Sequence, residues 1–342
     1  MQKAGVKTIV DAASLSVVGL VEVIRHIPRI YGEFRKMVRA AEAEKPDLAI
    51  LTDSPDFHLR LAKKLKKLDV PVVYLIAPQV WAWREGRLAQ MRGSLKLLLC
   101  IFPFEEAYFR RNQVDAAYIG HPLTRIVKPT LSKEDFFRKH GIDGSRPLVT
   151  ILPGSRVGEV ARHLPALVEA AAFLPDVTCL LAAPAAFSAR AGSTFLKERI
   201  GGAAIQVLEG ETWDAIAHAD VALAASGTVT IEAALLGTPM VTFYRVAGLS
   251  WWMGRFLVRV PFYAMVNLVA ERKIVPELMQ DQMTGPSLAA AVSDLLRDSP
   301  ARNRMQKDLA EVADRLSTRD DPMERAAVLV NELLNKDRAH GG

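Results

Sequence analysis

VALAASGTVTIEAALLGTPMVTFY, residues 221–244, reads as a strand apolar on both faces, a turn through Ser226, Gly227 and Thr228, a helix that begins on small residues, and a second apolar strand. A strand that is apolar on both faces belongs in a parallel sheet covered by helices on each side. The same grammar recurs at LVTILPGSRVGEV (148–160), where a strand ends near Pro153, the chain turns through Gly154, Ser155 and Arg156, and a helix follows near Glu159. Further short apolar runs stand at 48–51, 72–76, 95–102, 116–120, 179–183 and 204–208, most of them separated by stretches of helical periodicity. The pattern is that of an α/β, doubly wound protein.

At 342 residues the chain suits two such domains rather than one. GHPLTRIVKPTL, a short charged helix over 133–140 and the loop GIDGSRP mark the join between Pro122 and Pro147. Three regions follow: a first lobe over 1–145, a second over 146–300, and a C-terminal part over 301–342 whose single helix, about Ala301–Lys336, packs across the lobes.

Half of the residues are hydrophobic and 24% are charged, so two buried cores are within reach and global disorder is excluded. No window supplies the roughly 18 uncharged apolar residues of a membrane span. Cys100 and Cys179 lie inside apolar runs and read as buried thiols of a reducing compartment. The formal charge is +6, with basic residues gathered at Arg25, Arg29, Arg35, Lys36 and Arg39, at Lys63, Lys64, Lys66 and Lys67, and at Arg255 and Arg259. That excess suits a phosphorylated substrate or an anionic membrane. Nucleic acid is disfavoured, because the basic segments alternate with aliphatic residues rather than stacking aromatics.

Ligands of open parallel sheets bind beyond the carboxyl ends of the strands, so the loops there carry the chemistry. Gly154 lets the backbone approach an anion, helix N–H groups face it, and Arg156 can fork two phosphate oxygens. The Ser226–Thr228 turn is a second anion cradle, and Glu232 behind it can accept a ribose diol, although a helix dipole also favours a carboxylate there. Two phosphate loops with a carboxylate point to a nucleoside diphosphate; with no Walker lysine and no GxGxxG, ATP and NAD are disfavoured. In LAILTDSPDFHLRLAKKL, Asp53 and Asp56 follow a strand; Asp56 can serve as a general base, but its spacing alone favours a helix N-cap. His121 in YIGHPL is a second candidate at the last strand of the first lobe. Residues 14–39 and LSWWMGRFLVRVPFYAM (249–265) read as interfacial or core helices, the former interrupted by Pro28.

In order, SVVGLVEVIRHIPRI, TDSPDFHLRLAKKL, APQVWAWREGR, FPFEEAYF, YIGHPL, LPGSRVGEV and ASGTVTIEAALLGTPMV resemble the lipid-A-disaccharide synthase family, from about residue 4 to residue 335. The resemblance implies a GT-B fold, two Rossmann-like lobes facing a cleft. It implies an inverting transferase that joins UDP-2,3-diacylglucosamine to 2,3-diacylglucosamine 1-phosphate (lipid X), without metal or cofactor, releasing UDP. It places Arg156, Glu159, Ser226, Gly227, Thr228, Glu232, Asn267 and Glu277 on the donor side. Asp56 falls on the family's catalytic aspartate, with Asp53 or His121 as substitutes, and His58 stands where the family more often has asparagine. The location implied is cytoplasmic, peripheral on the inner-membrane surface; a homodimer stays open. Members carry a further strand and a Gly-rich SAGExSGD loop ahead of the position of Met1, so the first lobe is expected to be incomplete, with a gap in its sheet. Two other readings stay open: another GT-B enzyme of UDP-sugars, and a non-catalytic UDP- or lipid-binding remnant.

Overall fold

The computed structural model describes residues 5–10, 20–185, 187–246 and 260–340. The chain divides into two compact units, Met1–Gly120 with Asp320–Gly342, and His121–Arg319.

The first unit holds four parallel strands, β1 (Ala49–Thr52), β2 (Val72–Leu75), β3 (Leu97–Cys100) and β4 (Ala116–Tyr118), paired in that order. They pair consecutively, so the expected gap is absent from within the sheet. The open side is the β1 edge, where Ile50 is 52% exposed. Val73, Leu98 and Cys100 are fully buried beneath helices that include Pro55–Lys66 and Pro103–Arg111. The first helix runs Leu20–Glu44 through Pro28 rather than breaking there.

The second unit holds β5 (Leu148–Leu152), β6 (Thr178–Ala183), β7 (Ile205–Glu209), β8 (Val221–Ala225), β9 (Met240–Tyr244) and β10 (Glu277–Met279). Their spatial order is β10-β9-β8-β5-β6-β7, all parallel. Numbered within the unit this is 6-5-4-1-2-3, the doubly wound order, whose direction reverses between β5 and β8. Every residue of β5 and β8 is buried, which is why these strands read as unbroken apolar runs.

The join lies at Gly120, earlier than the expected 145, because residues 130–140 are bound into the second unit. Buried Asp214 accepts from the Thr130 and Leu131 N–H groups (both 2.7 Å) and from Thr130 Oγ1 (2.9 Å). Phe136 is fully buried, and Glu211 pairs with Lys139 at 2.8 Å and His140 at 3.1 Å. The C-terminal part is not one helix either. Ser299–Leu316 belongs to the second unit and Pro322–His340 to the first, with the break at a proline that suits a helix start but not a helix interior.

Candidate functional site

The loops after β5 and β8 flank the reversal of the second sheet, and both line one cavity of about 730 Å³. Its wall includes Gly154, Ser155, Arg156, Glu159, Ser226, Gly227, Thr228 and Glu232, so six donor-side residues expected from two separate motifs meet there, Gly227 among them, together with Gly154 and Ser155. The helix Thr228–Leu235 starts at this wall, its N-terminus adding positive potential.

The β5 loop is shaped from within. Gly154 has φ +114°, and a Cβ there would sit 2.5 Å from Glu159 Oε2, so only glycine fits. The Glu159 carboxylate accepts from the N–H groups of Ser155 (3.1 Å) and Arg156 (3.3 Å). Glu159 is therefore turned onto its own loop, and the cation lining the cavity on this side is Arg156. Behind the loop, fully buried His163 bonds the Pro153 carbonyl through Nδ1 (2.8 Å), and its Nε2 accepts from the Arg245 N–H (3.1 Å). Burial holds this imidazole below its ordinary pKa, against the pull of the Pro153 carbonyl.

The β8 loop is held from the other side. Ser226 Oγ donates to the Tyr263 carbonyl (2.7 Å), while the Tyr263 and Ala264 N–H groups donate to Glu277 (3.1 and 2.9 Å). Asn267, fully buried, donates to Glu277 Oε1 (2.8 Å) and accepts from the Ile274 and Val275 N–H groups. Asn267 and Glu277 thus lie outside the wall of the main cavity and form a network that ends on Ser226. Burial raises the Glu232 pKa, and Trp213 Nε1, donating at 3.1 Å, opposes that rise.

In the first unit Asp56 is not the helix cap. The helix begins at Pro55, Ser54 is the cap residue with φ 40°, and the Asp56 carboxylate reaches across to another loop. Arg84 Nη1 donates to both of its oxygens (2.9 and 3.0 Å), and Arg87 Nη2 donates to Oδ1. Partial burial pushes this carboxyl up, but the two guanidiniums outweigh it and hold it below the ordinary carboxylate range. Asp53, at φ 57°, offers its carbonyl to Tyr74 Oη (2.5 Å) and to His58 Nδ1 (2.8 Å), so His58 supports the loop locally. Strained non-glycine backbone of this kind is retained where the surroundings fix it. His121 lies in the second unit, 4% exposed, its Nδ1 accepting from the Leu123 N–H; burial lowers its pKa to about 4.

Trp213, Thr212 and Tyr244 also line the cavity and were not foreseen. Their signal was the position of GETW directly after β7 and of Tyr244 at the end of β9. Arg84 and Arg87 sat in a quoted motif but carried no assignment. Of the two expected membrane segments, 249–265 lies mostly outside the described residues, as do Arg255 and Arg259.

A family model described as lipid-A-disaccharide synthetase matches residues 1–330. The lipid-A-disaccharide synthase of Solibacter usitatus is 58% identical over 341 residues, covering 99% of this chain and 89% of its own. That of Koribacter versatilis is 43% identical over 335 residues, covering 96% and 86%. Among solved structures, the S. aureus MnaA–UDP co-structure superposes with a TM-score of 0.59 at 12% identity, over 90% of this chain and 79% of that one. A UDP-N-acetylglucosamine 2-epimerase structure from Listeria monocytogenes gives 0.55 at 12% identity, over 91% and 80%. At such identities the likeness speaks for the fold, which is of the GT-B kind.

Proposed function

The chain belongs to the lipid-A-disaccharide synthase family, and from that premise we propose how its two units share the reaction. It is a glycosyltransferase of lipid A biosynthesis, with a UDP-sugar as donor and a lipid as acceptor. The second unit takes the donor, UDP-2,3-diacylglucosamine. The observation that carries this is the convergence of Arg156, the Ser226–Thr228 turn and Glu232 on one cavity at the sheet reversal. Arg156 forks the pyrophosphate and the start of helix Thr228–Leu235 faces it. Glu232 accepts the ribose hydroxyls, oriented by Trp213. Asn267 and Glu277 act through the backbone, holding Tyr263 and so Ser226 in place.

The first unit takes the acceptor, 2,3-diacylglucosamine 1-phosphate. Asp56 accepts the proton of the acceptor's 6-hydroxyl as that oxygen attacks the anomeric carbon of the donor. The bond to UDP breaks on the opposite face, giving inversion, and Arg156 meets the charge that develops on the leaving diphosphate. Asp53 shapes the loop through its carbonyl, and His121 anchors the start of the second unit rather than serving as base.

The acyl chains place the enzyme at the cytoplasmic face of the inner membrane. Among the described residues no helix is long and apolar enough to cross a bilayer. Helix Leu20–Glu44 suits a surface role: Ile27 and Tyr31 are 53% and 54% exposed, with Arg35 against the Tyr31 ring.

Incubating the full chain with UDP-2,3-diacylglucosamine and diacylglucosamine 1-phosphate should release UDP and a disaccharide 1-phosphate. Absence of UDP release with that pair, where each binds, would refute the reading.

A further inference from the structure

PQVWAWREGR contributes two cations whose placement the reaction scheme above does not use. Arg84 has φ +61°, a conformation costly for any residue with a Cβ, and its guanidinium lies over the same ring as that of Arg87. Both guanidiniums lie against one exposed ring, Trp83, at 4.4 and 5.7 Å from its centroid. Both converge on the Asp56 carboxylate. Arg87 is also the first residue of helix Arg87–Ser94, where the helix dipole disfavours a cation, yet its side chain is only 13% exposed. Two cations against one carboxylate leave an excess positive charge at a surface that an anion can reach, since the Asp56 side chain is 69% exposed.

We propose that Arg84 and Arg87, stacked on Trp83, form the seat for the acceptor's phosphomonoester, with Asp56 the counter-ion that the phosphate replaces. A phosphomonoester carries about −1.5 to −2 charges at neutral pH, against one for a carboxylate. Its three oxygens match two planar forks, which a carboxylate can satisfy only by sharing an oxygen, as Asp56 Oδ1 does here. The indole face fixes both planes, as aromatic surfaces do for guanidinium groups. The exchange also releases the Asp56 carboxylate from two positive neighbours, so the acceptor's own phosphate makes the carboxylate a stronger proton acceptor. The chain would then discriminate against acceptors that lack the phosphate, in binding and in turnover.

The identification of the anion as the acceptor's rests on the acceptor reading given under Proposed function, so the test has independent arms. In the first, the full-length protein and its Arg84→Gln and Arg87→Gln variants are titrated with glucosamine 1-phosphate by calorimetry, with UDP binding measured on the same samples as a check of folding. Binding should fall roughly 10- to 100-fold in each variant, the loss expected for one charge-assisted contact, while UDP affinity is kept. Arg84→Lys, which keeps the charge but not the fork, should recover part of it. In the second arm, kcat/KM is compared for diacylglucosamine with and without its 1-phosphate. The wild-type preference for the phosphorylated acceptor should shrink by the same factor in the variants. In the third, binding to phosphatidylglycerol vesicles should be alike in wild type and variants. No glucosamine 1-phosphate binding by the wild type, an unchanged acceptor preference, or a loss of vesicle binding alone would overturn the proposal. Phosphate binding that depends on both arginines, without glycosyl transfer, would instead leave the seat standing and refute the proposed function.

Discussion

The mouths of the two sheets present charge in opposite ways. In the second unit the wall joins two loops, one with a glycine at φ +114°, to a helix start, with Arg156 as a lining cation. In the first unit the groups are side chains, two arginines on a tryptophan with a carboxylate between them. Backbone donors and a helix dipole are fixed before a ligand arrives, which suits a diphosphate whose charge grows during the reaction. Long side chains on a strained turn can change partner, which suits a site where a substrate must arrive, be deprotonated and leave. The comparison teaches that similar sheet mouths need not share a chemistry.

The largest test of that contrast is Asp56→Ala. Turnover should fall by roughly 10²- to 10⁴-fold, the worth of a positioned base, with UDP affinity unchanged. Loss of UDP binding in this variant would mean that the two mouths are not functionally separate. Next comes Arg156→Ala, which should weaken UDP binding roughly 10- to 100-fold in an equilibrium titration. An unaltered affinity would leave the backbone cradle to account for the diphosphate alone.

A smaller effect concerns how each mouth is supported. Fully buried Glu105 accepts from Trp81 Nε1 (2.9 Å) and from the N–H groups of Ile101 and Phe102 (3.2 and 3.1 Å), pinning the loop that carries Arg84. Glutamine has the same shape but would set an amide NH2 against N–H donors. Glu105→Gln should cost about 1–3 kcal/mol in denaturant unfolding. A cost within error would show that the tryptophan loop is held by packing instead.

What the sequence disclosed follows the same division. The nine apolar runs became β1 to β9; the inner strands such as β5 and β8 announce themselves because they are buried, while β1 and β7 at the sheet edges keep apolar residues although much of each is exposed. The tenth strand, Glu277–Met279, escaped because three half-buried residues at a sheet edge have no such pattern. The β5 and β8 loops were legible since glycine, hydroxyl and arginine act within a few residues of one another. The Asp56 pairing was not: its partners stand 28 and 31 residues away, and nothing local shows which loops will meet. For the same reason the spacing around Asp56 favoured a cap. Trp213 and Tyr244 share the cavity with Glu232 only once β7, β8 and β9 are aligned. The domain join moved because one buried carboxylate, Asp214, captured a stretch whose composition looked like linker.

The smallest effect sharpens the comparison at the level of stability. Burial raises the Glu105 carboxyl in the first unit to about 7, with Trp81 and the two backbone donors pulling against it. In the second unit burial lowers His121 to about 4, and lowers His163 as well. The signs are opposite. Between about pH 4.5 and 7 the folded first unit holds a proton on Glu105 that the unfolded chain has released, so that contribution is full below 4.5 and is lost as pH rises through 7. Below about pH 6.5 the unfolded chain protonates both histidines more readily than the folded second unit does, so its stability falls as pH drops, for His121 down to about 4. For His163 the protonated ring would also turn an acceptor of the Arg245 N–H into a donor, directly behind the β5 loop. For Glu105 and for His121 the effect is at most about 3.5 kcal/mol. Hydrogen-exchange free energies of β2 and β3 amides should therefore rise from pH 7.5 to 5.0, and those of β5 and β8 should fall. Parallel shifts in both sheets would show that these buried groups do not govern the local stability of the units that contain them.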